Sequence, residues 1–346
     1  MADTSAPLVA VVIPCLNEEL TLPLLLDALR AQDAPVHEVI VVDNGSTDRS
    51  RDVVAAHRSA HPLWPLRLLE SGRPGAAAAM NVGVGAASAE IIVRMDGHSV
   101  PRPDYVRRSL ERLMEGAGVV GGVWDLAPGR ATIVGRAIAR VLTHRMATGG
   151  AKYRHPDTTT ALAEVDTVPF GAFRKSLWQQ LGGYDERLTV NEDYVFNYRT
   201  RLAGLKVVLD PAIQSTYFAR PTLGQLAAQY FQYGWRKAEM LKTYPRSARL
   251  RQIIPAAFIA ALVVLAAVGA AVPTAHGLLV MQLLIYAAVL VAASTQLAWS
   301  TGGWAAFPIY IAALALIQLS WGAGVWTNVL TAGRWPMSSR PRPAVC

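Results

Sequence analysis

Apolar and polar positions in the first hundred residues follow a pattern that predicts strands alternating with helices. Short apolar runs rich in β-branched residues occur at LVAVVIP (8–14), HEVIVVD (37–43), LRLLE (66–70) and AEIIVRMD (89–96). Segments with helical periodicity, such as LTLPLLLDALRAQ and RSRDVVAAHRSA, lie between them. Because buried strands that alternate with helices form parallel sheets covered on both faces, we expect an α/β fold with a mostly parallel sheet.

Polar residues gather directly after three of these strands, at positions 17–19, 43–48 and 96–99. Ligands of open α/β sheets bind at the carboxyl ends of the strands, so we expect these three loops to form one wall of a pocket. A fourth polar sequence, Asn191-Glu192-Asp193, stands at the start of a predicted helix, where carboxylates suit the helix dipole. Ordinary helix capping is the alternative explanation for these two acids.

The last hundred residues have a different pattern, with apolar runs at 253–272, 278–298 and 304–330. Each run is near or above the roughly 20 residues with which a helix crosses a bilayer. A soluble helical bundle is the alternative, but such bundles show polar faces at helical period. We therefore expect about three transmembrane helices within 253–332, although Pro308 and the glycines of the last run leave a re-entrant segment open.

The distribution of charged residues divides the chain at the same point as the pattern of apolar residues. Every Asp and Glu lies at or before Glu239, and six basic residues precede the first apolar run: Arg236, Lys237, Lys242, Arg246, Arg249 and Arg251. Such a cluster marks the cytoplasmic side of a span and attracts anionic lipid, which we favour over nucleic-acid binding. The predicted organisation is a domain over 1–220, an amphipathic basic and aromatic membrane-interface segment over 221–252, the transmembrane region, and a tail over 333–346.

The start of the chain, MADTSAPLVAVVIP, has no basic region before its apolar run, so we do not expect a signal peptide. The first domain is then cytoplasmic, and the protein is a multi-pass protein of the inner (plasma) membrane. The tail conflicts with this arrangement, because three spans would place its three arginines outside.

Several kinds of site are absent from the sequence. The chain has only Cys15 and Cys346, no GxxxxGK[ST] loop, and at GVGAAS (83–88) a fragment without the third glycine of a dinucleotide site. A divalent metal is then the expected counter-charge for a diphosphate. Asp96 and His98 in RMDGHS are two positions apart, on the same side of an extended chain, and we expect them to bind Mn²⁺ or Mg²⁺. Alternatively, Asp96 only caps the turn.

Together, the motifs VVIPCLNEE, VIVVDNGSTD, GAAAAMNVGVGAASAEIIVRMDGHS, FGAFRKSLW, LGGYDERL and NEDYVFNYR resemble those of family 2 glycosyltransferases of the GT-A type. The resemblance covers roughly residues 8 to 240 and is strongest to the branch of glucosyltransferases that build succinoglycan. It implies that Asp96 matches the first Asp of the DxD metal motif and that Asp193, beside Glu192, matches the catalytic base. The expected nucleotide-sugar-binding residues are Pro14, Asn17, Glu18, Glu19, Asp43, Asn44, Ser46, Asp48, Asn81, Arg94 and Asp96.

The sequence departs from the family pattern in two places. The metal motif reads Asp96-Gly97-His98, which leaves the identity of the metal open. The QxxRW sequence of processive synthases is replaced by Gln232-Tyr233-Gly234-Trp235-Arg236, which argues against processive synthesis.

The resemblance implies an inverting transfer of a sugar, glucose from UDP-glucose being our expectation, onto a hydroxyl of a sugar carried on a polyprenyl diphosphate. Alternatives are a synthase that transfers the sugar to the lipid phosphate itself and a non-catalytic, membrane-tethered module that binds nucleotide sugars. The candidate contacts for the lipid-linked acceptor and its phosphates are Arg154, Arg199, Gln232, Trp235 and Arg236.

Overall fold

The computed structural model describes residues 7–155 and 160–332, which divide into two units. The first unit comprises the chain up to Asp125 together with His155–Tyr217. Its helices are α1 (Leu22–Arg30), α2 (Ser50–Ala60), α3 (Ala76–Ala86), α4 (Tyr105–Met114), α7 (Lys175–Leu181) and α8 (Glu192–Leu202). The strands are β1 (Val9–Cys15), β2 (Glu38–Asp43), β3 (Leu66–Glu70), β4 (Ile91–Arg94), β5 (Ser99–Pro101), β6 (Val119–Pro128), β7 (Ala163–Glu164), β8 (Ala172–Arg174) and β9 (Val207–Ala219).

Nine strands of the described chain form one sheet in the order β3-β2-β1-β4-β8-β6-β9-β5, with β7 paired to β9. The predicted parallel arrangement holds for β3, β2, β1 and β4. Beyond β4 the sheet is mixed, because β8 runs antiparallel to both β4 and β6. The short β8 follows a loop rather than a crossover helix, and the sequence pattern did not reveal it.

Register places the predicted strand-end residues at one edge of the parallel half. Cys15 is level with Asp43, and Asp43 with Glu70. β1 and β2 are apolar along almost their whole length because helices cover both faces of the sheet. On one face α3 packs so closely that a side chain at Gly83 would overlap Val12. The loops after β1, β2 and β4 therefore start from fixed positions.

The second unit comprises Leu126–Arg154 and the chain from Phe218 onward. Its helices are α5 (Ile133–Leu142), α6 (Arg145–Thr148), α9 (Leu223–Thr243), α10 (Leu250–Gly269), α11 (Pro273–Thr301) and α12 (Phe307–Leu330). Residues 126–154, which we assigned to the first domain, belong here, since α5 and α6 carry buried apolar residues of the same core as α9, α11 and α12. The predicted tail over 333–346 lies outside the described residues.

Among the described residues of this unit, three helices are long and apolar enough to span a membrane: Leu250–Gly269, Pro273–Thr301 and Trp304–Leu330. They correspond to the three predicted runs, although the first begins three residues earlier and the second extends at both ends. The predicted interface segment is mostly α9, which packs directly on α12. A side chain at Gly234 would overlap the Trp321 backbone, and one at Gly324 would overlap that of Phe231. Glycines on both helices thus permit close backbone contact.

Candidate active site

The loops after β1 and β2 are joined by reciprocal hydrogen bonds. Asn17 adopts a positive φ of 59°, its backbone N–H donates to Ser46 Oγ at 3.0 Å, and its Oδ1 accepts from the Thr47 N–H at 2.8 Å. The Glu19 N–H donates to Asp48 Oδ2 at 3.0 Å. The structure therefore brings the predicted residues of positions 17–19 and 43–48 together. Their role in nucleotide binding remains a prediction.

Asp43 is the most buried carboxylate of this loop pair, with 2% of its surface exposed. Arg51 Nε donates to its Oδ2 at 2.7 Å, and the Ser46 N–H donates to its Oδ1 at 3.2 Å. Burial by itself would raise the pKa of Asp43, but the hydrogen bonds from Ser46 and Arg51 outweigh it and hold the pKa below its ordinary value. Asp43 is thus an ionised acceptor at neutral pH.

Pro14 and Asn44 flank this carboxylate. Pro14 lies in β1 opposite Val42. The Asn44 side chain accepts a hydrogen bond from the Gly75 N–H at 3.1 Å, which ties the loop after β2 to the turn that begins α3.

Asn81, another predicted nucleotide contact, has a different set of partners. Its Oδ1 accepts from the Tyr184 N–H and Trp178 Nε1, at 2.8 and 3.1 Å. Its Nδ2 donates to the Tyr184 carbonyl and to Glu186 Oε1, both at 2.9 Å. Both ends of the amide are engaged by α7 and the segment that follows it. These bonds favour a positioning role over direct contact with a ligand.

Arg94 joins two acidic motifs that are almost a hundred residues apart. Its Nε donates to Asp96 Oδ1 at 2.9 Å, and its Nη2 donates to Glu192 Oε1 at 2.8 Å. The side chain is buried, and Nη1 has no hydrogen-bond partner among the described residues. We predicted Arg94 as a nucleotide contact. The structure shows a buried cation between two carboxylates, one of them Asp96, two residues past the end of β4. Contact with the nucleotide remains a prediction.

Glu192 and Asp193 begin α8, as predicted, and differ in environment. Glu192 is 5% exposed, and burial raises its pKa to about 7, with Arg94 opposing and Asp193 reinforcing the effect. Asp193 is half-buried, and its Oδ1 accepts from the Tyr194 N–H at 2.7 Å. The more accessible Asp193 is therefore the better placed of the two to meet an incoming acceptor.

The predicted metal ligands, Asp96 and His98, follow β4. His98 Nδ1 lies 2.8 Å from Glu18 Oε1, and its ring meets Tyr217 edge to face at 5.4 Å. Glu18 was predicted to contact the nucleotide, and its bond to His98 was not foreseen. Because this bond uses Nδ1, Nε2 is the nitrogen that would ligate a metal, as is usual when a carboxylate supports a histidine ligand.

No group of three or more His, Cys, Asp or Glu side chains in the described chain is arranged to hold a metal ion. One carboxylate and one imidazole form a donor set that suits a borderline divalent ion such as Mn²⁺, provided that other oxygens complete the coordination. A diphosphate could supply those oxygens, so the residues fit a cation that binds together with the nucleotide.

The acceptor candidates are divided between the two units. Arg199 belongs to the first unit, where its Nη1 donates to the Gly183 carbonyl at 2.9 Å. In the second unit, buried Arg154 donates to the Tyr230 hydroxyl at 3.3 Å, and Arg236 pairs with Glu239 at 2.8 Å. The Arg236 guanidinium also lies 4.7 Å from the centre of the buried Trp235 ring. Gln232 is half-buried on the same helix, α9. Their role in acceptor binding remains a prediction.

Comparison with known proteins agrees with this geometry. Residues 10–181 match the family described as Glycosyl transferase family 2. The succinoglycan biosynthesis protein ExoA of Rhizobium meliloti is 28% identical over 336 residues, 92% of this chain and 94% of the relative. A dolichyl N-acetyl-alpha-D-glucosaminyl phosphate 3-beta-D-2,3-diacetamido-2,3-dideoxy-beta-D-glucuronosyltransferase of Methanococcus voltae is 22% identical over 68% of this chain and 74% of its own length.

Among solved structures, the mannosyltransferase PcManGT of Pyrobaculum calidifontis, in complex with GDP-Man and Mn²⁺, superposes with a TM-score of 0.60 at 22% identity. The match covers 91% of this chain and 88% of that one. The fold is thus the GT-A-like α/β fold. With the motif-bearing loops at the strand ends and the family match over β1 to α7, the chain belongs to glycosyltransferase family 2 and is a glycosyltransferase.

Proposed function

We propose that the chain transfers a sugar from a nucleotide-sugar donor onto a hydroxyl of a sugar carried by a polyprenyl diphosphate, with inversion at the anomeric carbon. The observation that carries this proposal is the bridge of Arg94 between Asp96 and Glu192. The buried Arg94 side chain thus holds Asp96, the carboxylate of the metal motif, close to the start of α8, where Asp193 also lies. Donor and acceptor chemistry can therefore take place side by side.

For the donor, Asp43 and the loops joined by Asn17 would hold the nucleoside. UDP-glucose is the donor to test first, on the resemblance to the succinoglycan branch. The GDP-Man of the mannosyltransferase with the similar fold makes GDP-mannose the natural comparison. The guanine of GDP-mannose and the uracil of UDP-glucose differ in size and in their hydrogen-bonding edges. A comparison of the binding affinities of the two donors therefore identifies the preferred one.

A divalent cation, Mn²⁺ or Mg²⁺, would be held by Asp96 and by His98 through Nε2, and would neutralise the charge that develops on the departing diphosphate. The Mn²⁺ in the mannosyltransferase complex supports this assignment. Glu18 would orient His98, and Arg94 would fix Asp96. The protein would provide and position two of the metal ligands, and oxygens of the diphosphate would provide the others.

For the transfer, Asp193 would accept the proton of the acceptor hydroxyl while that oxygen bonds to the anomeric carbon. The bond to the diphosphate oxygen breaks in the same step, and the nucleoside diphosphate leaves with the electron pair. General-base assistance of this kind contributes typically about 10² to 10⁴ in rate. Glu192, paired with Arg94, would position Asp193 rather than react.

We further propose that α10, α11 and α12 anchor the protein in the inner membrane, with the first unit on the cytoplasmic side. The support is the length and apolar character of these helices and the basic residues that precede α10. This arrangement would present a lipid-linked acceptor from the bilayer.

The test is transfer by the full chain, purified in detergent, from radiolabelled UDP-glucose or GDP-mannose to a bacterial lipid extract, with Mn²⁺, Mg²⁺ or EDTA. Wild type should label the lipid fraction only with metal. Asp193→Asn should bind the donor normally but lose transfer by about 10² or more. Consumption of neither donor would contradict the proposal and favour a non-catalytic binding module.

Asp193→Asn also tests the alternative that the acceptor is the lipid phosphate itself. A phosphate is already ionised at neutral pH and needs no general base, so the variant would then lose little activity. Acid lability and phosphatase sensitivity of the labelled lipid give an independent result, because a monophosphate-linked sugar and an extended diphosphate-linked sugar differ in both.

A further inference from the structure

The second unit contains an apolar groove of about 490 Å³ between α6 and the helices α10, α11 and α12. Met146 of α6 lines one part of it, Ile254, Phe258 and Leu265 line it from α10, and Ile285 lines it from α11. The volume is that of a small-molecule binding pocket, roughly 300 to 1,000 Å³. Its lining is almost wholly apolar.

The groove is elongated along α10. The α10 residues that line it run from Ile254 to Leu265, which corresponds to about 16 Å at 1.5 Å per residue. Leu278, near the start of α11, marks the end close to the connection between α10 and α11. The Gln318 side chain donates to the Met146 carbonyl at 3.2 Å and so fixes α6 against α12 at the opposite end. A single extended hydrocarbon chain matches this shape.

One polar group in the groove is unsatisfied. The hydroxyl of Tyr286 is buried and has no hydrogen-bond partner among the described residues, while its ring contacts Phe258 at 4.5 Å. A buried hydroxyl without a partner is unfavourable in an apolar medium. Because this hydroxyl is enclosed, it is not available to a ligand in the groove, whose recognition would depend on shape and charge.

Charge distinguishes the two ends of the groove. The second unit has thirteen lysines and arginines among its described residues but one acid, Glu239, which pairs with Arg236. Arg145 immediately precedes Met146, and the side chain of Arg251, three residues before Ile254, packs beside Gly149. The end lined by Met146 and Ile254 therefore has an arginine within three residues of each in the sequence, whereas near Leu265 and Leu278 the sequence has no Asp, Glu, Lys or Arg, only His276.

We propose that this groove binds the hydrocarbon chain of a long-chain isoprenoid diphosphate, with the diphosphate at Arg145 and Arg251. The proposal rests on the proposed function, in which such a lipid carries the acceptor sugar. An anionic headgroup at the basic end and a single apolar chain along α10 match the charge and the shape together. A two-chain phospholipid would fill the groove with one chain only and leave the other in the bilayer.

Two neighbouring residues of α11 provide a matched test. Ile285 lines the groove and Leu284 does not, although the two are similarly exposed, at 57% and 65%. Ile285→Trp should fill the groove and Leu284→Trp should not. The probes are undecaprenyl diphosphate, undecaprenol, phosphatidylglycerol and inorganic pyrophosphate, each titrated into the full chain in detergent without donor and followed by native mass spectrometry.

Wild type should bind undecaprenyl diphosphate at least about tenfold more tightly than phosphatidylglycerol, and Ile285→Trp should lose at least about tenfold while Leu284→Trp matches wild type. Arg145→Gln with Arg251→Gln should lose about 25-fold for the diphosphate lipid, at about fivefold per arginine, and nothing for undecaprenol. Equal affinity of the two tryptophan variants, equal binding of phosphatidylglycerol, or full affinity for pyrophosphate alone would overturn the proposal.

A second measurement does not depend on the folding of the tryptophan variants. Ile285→Cys should be protected from a membrane-permeant maleimide by undecaprenyl diphosphate, and Leu284→Cys should not, with wild type giving the background label. Lack of protection at both positions would exclude the groove. These binding and protection experiments contain no sugar donor, so a negative result tests only the groove. The separate transfer assay shows whether the protein consumes a nucleotide sugar.

Discussion

Glu18 Oε1 lies 2.8 Å from His98 Nδ1, although eighty positions separate the two residues in the chain. Glu18 also accepts a hydrogen bond from the Thr21 hydroxyl at 2.8 Å, so its carboxylate is held at both oxygens. A side chain at Gly97 would lie 2.7 Å from Glu18 Cγ, which leaves glycine as the residue that permits this approach. Glu18 therefore fixes the imidazole that follows β4.

From this contact we expect Glu18→Gln to weaken the metal-dependent part of nucleotide binding. Loss of an outer carboxylate that orients a histidine ligand typically costs about 10 to 100-fold in metal affinity. The measurement is titration of UDP in the presence of Mn²⁺ and in the presence of EDTA. Only the Mn²⁺ value should change.

Glu19→Gln is the matched control, because Glu19 is the adjacent acid and its Oε2 accepts from the Arg49 N–H rather than from His98. It should leave the Mn²⁺ dependence unaltered. Similar losses in both variants would show that the loop after β1, rather than the support of His98, is responsible.

The ion pair between Arg94 and Glu192 gives a prediction about stability. Removing one partner of a buried pair leaves an uncompensated charge and costs about 3 to 5 kcal/mol. Arg94→Met should therefore lower the free energy of unfolding strongly, and Glu192→Gln in the same chain should recover part of the loss. Additive effects in this double-mutant cycle would be inconsistent with coupling between the two side chains.

The pKa of Glu192 predicts a pH dependence of stability. Burial raises this pKa to about 7 in the folded protein, above its unfolded value of about 4.3, so folding favours the protonated form. Its contribution to stability is present below the unfolded pKa and is lost as pH rises through about 7. Thermal unfolding from about pH 5 to 7.5 should thus decline less steeply for Glu192→Gln than for wild type.

Glu186→Gln is a suitable comparison for that experiment. Hydrogen bonding from Asn81, together with Arg73, lowers the pKa of Glu186, so its stability contribution is lost only in more acidic solution. This variant should have the wild-type slope over the same pH range. If Glu192→Gln also keeps the wild-type slope, Glu192 is ionised throughout.

The contact between α9 and α12 gives a fourth prediction. At Gly234 an added methyl group would overlap the Trp321 carbonyl, so Gly234→Ala should destabilise the protein by about 1 to 3 kcal/mol. Gly224 lies on the same helix with nothing within 4 Å of its side-chain position. Gly224→Ala should leave the unfolding temperature unchanged or slightly raised. Equal effects would show that helix propensity, not packing, governs both sites.

Local pattern was sufficient for much of the fold. The strands β1 to β4 and the helices between them could be predicted from the periodicity of apolar residues that are close together in the chain. The three long apolar helices likewise follow from their length and composition. The acidic residues after β2 and β4 could be recognised as site candidates because strand ends are set by the same local pattern.

Other elements could not be predicted from the local sequence pattern. The strand β8 has three residues, too few for a periodic signal, and its antiparallel pairing with β4 depends on residues about eighty positions away. The placement of 126–154 with the apolar helices depends on packing against α12, which no local pattern encodes. The predicted domain boundary at 220 therefore missed this segment.

By itself, the sequence determined the alternation of strands and helices, the acidic strand ends and the apolar character of the last three helices. Each of these depends on the hydrophobicity and spacing of residues close together in the chain. Only the tertiary structure decided that Arg94 joins Asp96 to Glu192 and that Glu18 supports His98. The contacts of Arg94 with Glu192 and of Glu18 with His98 join residues eighty or more positions apart, so they form only when the sheet and its helices pack.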